Sequence, residues 1–259
     1  MTDPTGQIHH LHWKDLAQLV RDTVGQVDAL IVDAPYSERT HGGQRHGRRP
    51  EQRNSDGEWV SARGLGYESW SQNDVYEFVG SWGPLVRGWV VSITDHRLAP
   101  AWETALARDE RYVFAPIPIV QIGMNVRLAG DGPSSWTCWA VVARPKCLPY
   151  CKWGTLPGAY VGNPFEEGEN HLTASRKRLV VGGKPFWLMD RLVEDYTRDG
   201  DLVCDPCCGA GTTLLAAKLL GRRYIGGDID EKHAELARER LRDLPAAPRK
   251  GTLALPWGE

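Results

Sequence analysis

Residues 202–228, LVCDPCCGAGTTLLAAKLLGRRYIGGD, decide how this chain folds. A short apolar run ends in Asp205, the chain turns through Gly209 and Gly211, and a helical pattern follows that Gly221 can stop. A second apolar run then ends at Asp228. Strand, glycine turn and helix N-terminus make a nucleotide-binding corner, because Gly209 and Gly211 have no side chain to hold a ligand away from the backbone. A carboxylate about 20 residues later, at the end of the next strand, suits the two hydroxyls of an adenosine ribose. An ordinary tight turn of an α/β protein uses the same glycines. A nicotinamide dinucleotide site matches less well, since Leu214 stands where the third glycine of its fingerprint falls.

Outward from this corner, short apolar runs alternate with amphipathic stretches, the pattern of an α/β protein with a largely parallel sheet. Strands are expected over 29–33, 89–94, 113–119, 139–143, 202–205 and 224–228, with a shorter one over 8–13. Four helices carry the 3.6-residue period. Val75, Phe78, Trp82 and Val86 share a face behind an Asn73–Asp74 start. Leu188, Leu192, Val193 and Tyr196 follow Pro185, a residue suited to a first helical turn. Leu215 and Leu219 line the third helix; Ala234, Ala237 and Leu241 line the fourth, capped by Asp230. The pattern breaks over 39–66, rich in Gly and Arg, and over 145–183, which reads as loop. Residues 245–259 read as a tail.

The 259 residues allow one large domain, with 41% hydrophobic and 25% charged residues, the balance of a soluble globular protein. There is no apolar run of membrane-spanning length, so a cytoplasmic protein with no membrane partner is expected. The six cysteines include Cys147 and Cys151 at a possible ligand spacing, but no second pair completes a zinc site, and no metal is expected. The net charge of -2 does not advertise nucleic-acid binding; local clusters decide that.

The second chemical signal is Asp33-Ala34-Pro35-Tyr36, at the carboxyl end of the strand over 29–32. Ligands of open α/β sheets bind at such ends. Together with Asp205-Pro-Cys-Cys-Gly-Ala-Gly-Thr-Thr213, this tetrapeptide resembles the paired motifs of DNA amino-methyltransferases: an acid-Pro-Pro-Tyr segment and an Asp-Pro-x-x-Gly-x-Gly-Thr-Thr segment. In the permuted β class of that family the first of these comes first in the chain, as here. Lys184-Pro-Phe186 matches the segment that opens a helix before the glycine corner. Asp228-Ile-Asp230 matches the acid after the second strand, and Lys14-Asp15-Leu16 loosely matches an N-terminal Gly-Asp. Ala34 and Cys207 depart from the family pattern, which has a proline and an aromatic there.

The resemblance spans about residues 8–244 and implies a methyltransferase domain over 1–244. Its implied fold is Rossmann-like, with a mixed, mainly parallel seven-stranded sheet in circularly permuted order. It implies S-adenosylmethionine as cofactor and transfer to the exocyclic amine of a base in double-stranded DNA, adenine N6 before cytosine N4. Asp33, Ala34, Pro35 and Tyr36 are the implied catalytic segment. Asp205, Pro206, Cys207, Gly209, Gly211, Thr212 and Thr213 would hold the amino-acid part of the cofactor. Asp228 and Ile229 would meet its ribose side, Lys184, Pro185 and Phe186 its methionine side, Asp15 its adenine, and Asp33 its reacting end. A short target-recognition segment falls at 148–182, and a homodimer is possible.

These residue types suit the chemistry. An aromatic amine is a weak nucleophile, and the Asp33 carboxylate with a backbone carbonyl at Ala34 or Pro35 can accept both its N–H groups and aim its lone pair. Tyr36 can stack on a base flipped from the duplex. Arg39, Arg45, Arg48, Arg49 and Arg53, with Arg63, form a basic loop directly after the motif, fit to hold DNA phosphates, while Arg176-Lys-Arg178 is a weaker cluster. A DNA-binding relative without turnover and a methyltransferase of RNA or protein are the alternatives.

Overall fold

A computed structural model describes residues 5–40, 68–123, 135–147, 153–163 and 182–242, and the backbone alone of 52–53 and 59–60. The chain enters through β1 (Gln7–His10), α1 (Trp13–Thr23) and β2 (Val27–Asp33). A small ribbon of β3 (Gln52–Arg53) and β4 (Trp59–Val60) precedes α2 (Gln72–Trp82), β5 (Val86–Thr94) and α3 (Ala99–Arg108). Four strands follow: β6 (Arg111–Val113), β7 (Ile117–Gln121), β8 (Thr137–Pro145) and β9 (Tyr160–Gly162). The chain then alternates through α4 (Phe186–Tyr196), β10 (Leu202–Asp205), α5 (Thr212–Leu219), β11 (Arg223–Asp228) and α6 (Glu231–Arg242).

One mixed sheet runs in the order β1-β11-β10-β2-β5-β8-β7-β9, with β6 also pairing β8. From β1 to β5 every pairing is parallel, β8 is antiparallel to β5, β6 and β7, and β9 is parallel to β7. This is the mixed, mainly parallel α/β sheet that the sequence leads one to expect, with nine strands among the described residues rather than seven. The extra ones are short. The expected 113–119 strand divides into β6 and β7, because four steps from Val113 to Ile117 face only three, Ala143 to Ala140, on β8, an irregularity of the bulge kind. β9 lies within a stretch that reads as loop.

Side chains alternate across each strand, so both faces of the central strands are apolar. Leu30, Val32, Val90 and Cys204 pack under α1, α2 and α3. Ala29, Ile31, Val91 and Val203 pack under α4 and α5. The helix α3 has no counterpart in the sequence reading; it buries Trp102, which stacks on Trp70. Ser71 caps α2 in a reciprocal box with Asp74, and the Lys232 N–H donates to the Asp230 carboxylate at the start of α6. No described helix is long and apolar enough to cross a membrane.

Candidate active site

The carboxyl ends of four adjacent parallel strands meet around a cavity of about 800 Å³. In sheet order they supply His10 from β1, Asp228 from β11, Asp205 from β10 and Asp33 from β2. That volume lies within the range of small-molecule sites. Of the residues singled out in the sequence, the cavity is lined by Asp33, Pro35, Lys184, Asp205, Pro206, Cys207, Gly209, Thr212, Thr213, Asp228 and Ile229.

The glycine corner has the expected shape. Gly209 and Gly211 both adopt positive φ, at 52° and 73°, and Gly211 is the N-cap of α5. A Cβ on Gly211 would come within 2.8 Å of the Ala237 Cβ, so this glycine also sets how closely α6 packs on the turn. The Asp228 carboxylate accepts N–H bonds from Gly209 at 2.8 Å and Asp230 at 2.9 Å, and His233 Nδ1 stands 3.4 Å away. The hydrogen bond to Asp228 raises the His233 pKa above its ordinary value, against the effect of burial.

Asp205 is 1% exposed. Burial pushes its carboxyl up to about 7, although the Thr213 hydroxyl and the Cys207 N–H donate to it, and the charges of Asp33 and Asp228 push the same way as burial. Burial also raises the Cys207 thiol well above its usual value, so Cys207 lines the cavity as a small neutral group.

Asp33, at the end of β2, faces a partner that the sequence reading assigned elsewhere. Lys184 Nζ lies 2.7 Å and 2.6 Å from its two carboxylate oxygens. The same ammonium is 4.8 Å from the Tyr36 ring centroid. Ala34 is buried in the core, Pro35 reaches the cavity, and the Tyr36 carbonyl accepts the Trp70 N–H at 3.0 Å. Burial, then the charge of Asp33, raises the Tyr36 phenol well above its usual range.

Several expected residues stand elsewhere. Asp15 lies in the first turn of α1 and does not line the cavity; His12, the N-cap of α1, does, and its Nδ1 accepts the Lys14 N–H at 3.2 Å. Helix geometry accounts for this, since the cap and the first two residues of α1 line the cavity and Asp15, the third, does not. Burial, helped by Lys14, lowers the His12 pKa. Pro185 is the N-cap of α4, and Phe186 packs into the core, so neither lines the cavity. Arg39 is exposed just beyond the catalytic segment. Arg45, Arg48, Arg49, Arg63 and Arg176–Arg178 lie outside the described residues, as does the Arg53 side chain, and 148–182 is described only over 153–163 and at 182.

The sequence reading missed Asp95, just past β5. Its carboxylate accepts from the Ser37 N–H and hydroxyl, the Thr40 hydroxyl, and the Arg97 and Leu98 N–H groups. This one side chain ties the segment after Tyr36 to the neighbouring strand. Burial opposes its ionisation, but the bonds from Ser37, Thr40 and Leu98 prevail and hold its pKa below the ordinary value.

The comparisons bear on this site. Residues 159–239 match the family model described as DNA methylase, of the N6/N4 type. The matched stretch is under a third of the chain. The Type II methyltransferase M2.DpnII of Streptococcus pneumoniae is 45% identical over 58 residues, which are 22% of this chain and 22% of that protein. The Type II methyltransferase M.HpaI of Haemophilus parainfluenzae is 33% identical over 92 residues, 36% of this chain and 29% of that protein. The matches therefore span only about a fifth to a third of these relatives. Among solved structures, the M1.HpyAVI–SAM complex superposes with a TM-score of 0.61 at 22% identity, covering 90% of this chain and 98% of that one. The cytosine-N4-specific PvuII DNA methyltransferase gives 0.57 at 13%, covering 94% and 88%. Both likenesses show a shared fold, and the segment matched by the DNA methylase model includes the whole glycine corner and Asp228.

Asp95→Ala should lower stability by about 2–4 kcal/mol, because it strands several donors in and near the catalytic segment. Urea unfolding checks this. Asp95 has a depressed pKa, so its contribution is present above the usual carboxylate range and is lost as pH falls through the folded-state value; the gap between wild type and variant should shrink in acid.

Proposed function

We propose that this protein transfers a methyl group from S-adenosylmethionine to the exocyclic amine of a base in double-stranded DNA. The observation that carries the proposal is the convergence of Asp33 and the Asp205–Gly209 corner on one cavity from the ends of adjacent strands. The residues fit the cofactor. Gly209 and Gly211 clear the backbone, Asp228 is oriented by two N–H bonds toward a diol, and the wall is rich in carboxylates suited to a ligand with two positive charges. When bound, S-adenosylmethionine supplies an electrophilic methyl on a sulfonium.

The chain's own residues do the rest. Asp205 and the backbone at Gly209–Gly211 hold the amino-acid part, with the α-ammonium on the carboxylate side. Asp228 holds the ribose. His12, at the end of the cavity beyond β11, takes the place next to the cofactor's base that Asp15 was expected to occupy. Asp33 accepts one N–H of the target amine while a carbonyl at Ala34 or Pro35 accepts the other, which turns the nitrogen lone pair toward the methyl. On accepting the methyl group the amine would have one proton to lose, and Asp33 or water would take it. Tyr36 stacks on the flipped base, which offsets part of the few kcal/mol that flipping costs. Arg39, Arg45, Arg48, Arg49 and Arg53 hold DNA phosphates, a sequence-independent contact. Asp at the first motif position, by its resemblance to the family, favours adenine N6 over cytosine N4. The relatives' Type II names suggest a role beside a restriction enzyme.

Duplex DNA incubated with methyl-labelled cofactor should acquire label, and nucleoside analysis should find it on adenine N6. Label on cytosine N4 would keep the reaction and change the base; label only on RNA or protein would remove the DNA reading. Asp33→Ala should slow single-turnover transfer by at least roughly 30-fold, the loss of one charge-assisted hydrogen bond, and leave cofactor affinity within a few-fold.

Asp205 adds a pH dependence. Its pKa is raised to about 7, so below that pH the free protein holds a proton there that the α-ammonium must displace. Affinity for S-adenosylmethionine should fall as pH drops below about 7, with proton release on binding, and level off above it. For the free protein the sign is opposite: this group's contribution to stability is complete below the unfolded carboxylate pKa and is lost as pH rises through about 7. Calorimetry in buffers of different ionisation enthalpy reads the proton, and Asp205→Asn should remove it.

A further inference from the structure

The ammonium of Lys184 sits on the Asp33 carboxylate at 2.7 Å and 2.6 Å, and the Lys184 side chain is only 9% exposed. The Tyr36 ring, 4.8 Å away, flanks it from another side. An ammonium has three N–H donors and no acceptor. Two of these donors point at Asp33. The third has the Gly182 carbonyl at 3.5 Å, the outer limit of a hydrogen bond. A carboxylate can accept at about four lone-pair sites, so Asp33 keeps acceptor capacity beside Lys184. Both residues line the cavity. The pair therefore offers an incoming group an acceptor and a donor side by side.

That pattern complements two of the four DNA bases. On its Watson–Crick edge adenine carries the N6 amine, a donor, beside the acceptor N1; cytosine carries the N4 amine beside the acceptor N3. Thymine and guanine reverse the pair, with a carbonyl oxygen beside a ring N–H. A reversed edge would set donor against donor and leave buried polar groups unpaired, the arrangement that gives a site its strongest discrimination.

We propose that Asp33 and Lys184 together read the Watson–Crick edge of the extruded base, Asp33 accepting from the exocyclic amine and Lys184 donating to the adjacent ring nitrogen. The proposal rests on the reading of the chain as a DNA amino-methyltransferase, and it gives Lys184 a base-selecting contact instead of a place along the methionine part of the cofactor. The ammonium stays on Asp33 when the base arrives, because separating a largely buried ion pair leaves an uncompensated charge. Its contact selects the base and does not activate it: a donor on the ring nitrogen draws electron density from the amine, so activation remains with Asp33 and the carbonyl.

The affinity measurements use the full chain without cofactor. A mixed pool of duplexes is first methylated by the wild type to find the target sequence. That duplex is then prepared with the natural base at the target position or with its deaza analogue, 1-deazaadenine or 3-deazacytosine, in which C–H replaces the ring acceptor. Fluorescence anisotropy gives the affinity of each for wild type, Lys184→Met and Lys184→Gln. Altered pairing in the analogue duplex affects all proteins alike and cancels in the comparison. The preference for the natural base should drop by roughly 10-fold to 100-fold from wild type to Lys184→Met, the loss of one hydrogen bond from a charged donor. Lys184→Gln, a neutral donor, should fall between, and serves alone if the Met variant does not fold. An unchanged preference in the variants overturns the assignment of Lys184 while methylation by the wild type leaves the broader reading standing. If the wild type methylates nothing in the pool, both fall together.

Discussion

β10 lies hydrogen-bonded beside β2 in parallel, with Val203 opposite Ala29 and Cys204 opposite Leu30. Everything at the site depends on that register. Asp205 and Asp33 are far apart in the chain, yet the pairing brings both carboxylates to the same edge of the sheet. A slip of one residue would turn every side chain of β10 to the opposite face. Such a slip would carry Asp205 away from the Thr213 hydroxyl and the Cys207 N–H that donate to it. The pairing thereby fixes where Asp33 and Asp205 stand relative to one another.

Parallel strands ending together also concentrate negative charge. Asp33, Asp205 and Asp228 face one cavity, and their mutual repulsion helps to raise Asp205 toward neutrality. Each of the three is managed differently. Asp228 is held by two backbone N–H groups and His233, Asp33 by Lys184, and Asp205 is left with one hydroxyl and one N–H. Asp205 is therefore the least compensated, and the one on which an arriving cation has the largest effect. The wall suits a positively charged cofactor, whereas a dinucleotide would bring phosphates into a field of carboxylates.

The glycine corner, Asp228 and the acid at the end of β2 were legible in the sequence because local chemistry dictates them: positive φ asks for glycine, and strand ends collect ligands. The helix period around Leu188 and Ala234 was equally plain. What the sequence did not disclose depends on partners distant in the chain. Lys184 meets Asp33 across the sheet, and Asp95 reaches Ser37 and Thr40 from another strand, with no spacing rule to signal either contact. His12 in place of Asp15 was a matter of which residue caps α1. A polar residue directly before the first buried position of the helix was the available clue. The helix α3 went unread because Ala99, Ala101 and Ala105 give a weak apolar signal around Trp102, and β9 because three residues are too few to show a period.

The central claim is that the β10–α5–β11 corner seats S-adenosylmethionine, with Asp228 on its ribose, while Asp33 serves the other substrate. Isothermal titration of the wild type, Asp228→Ala and Asp33→Ala with S-adenosylmethionine, and of the wild type with NAD, tests it most directly. The account predicts one site per chain for S-adenosylmethionine. It predicts a loss of roughly 10-fold to 150-fold in Asp228→Ala, from hydrogen bonds to a charged acceptor, with near-normal affinity in Asp33→Ala. Tighter binding of NAD than of S-adenosylmethionine, or an Asp228→Ala variant that binds as the wild type does, would contradict it.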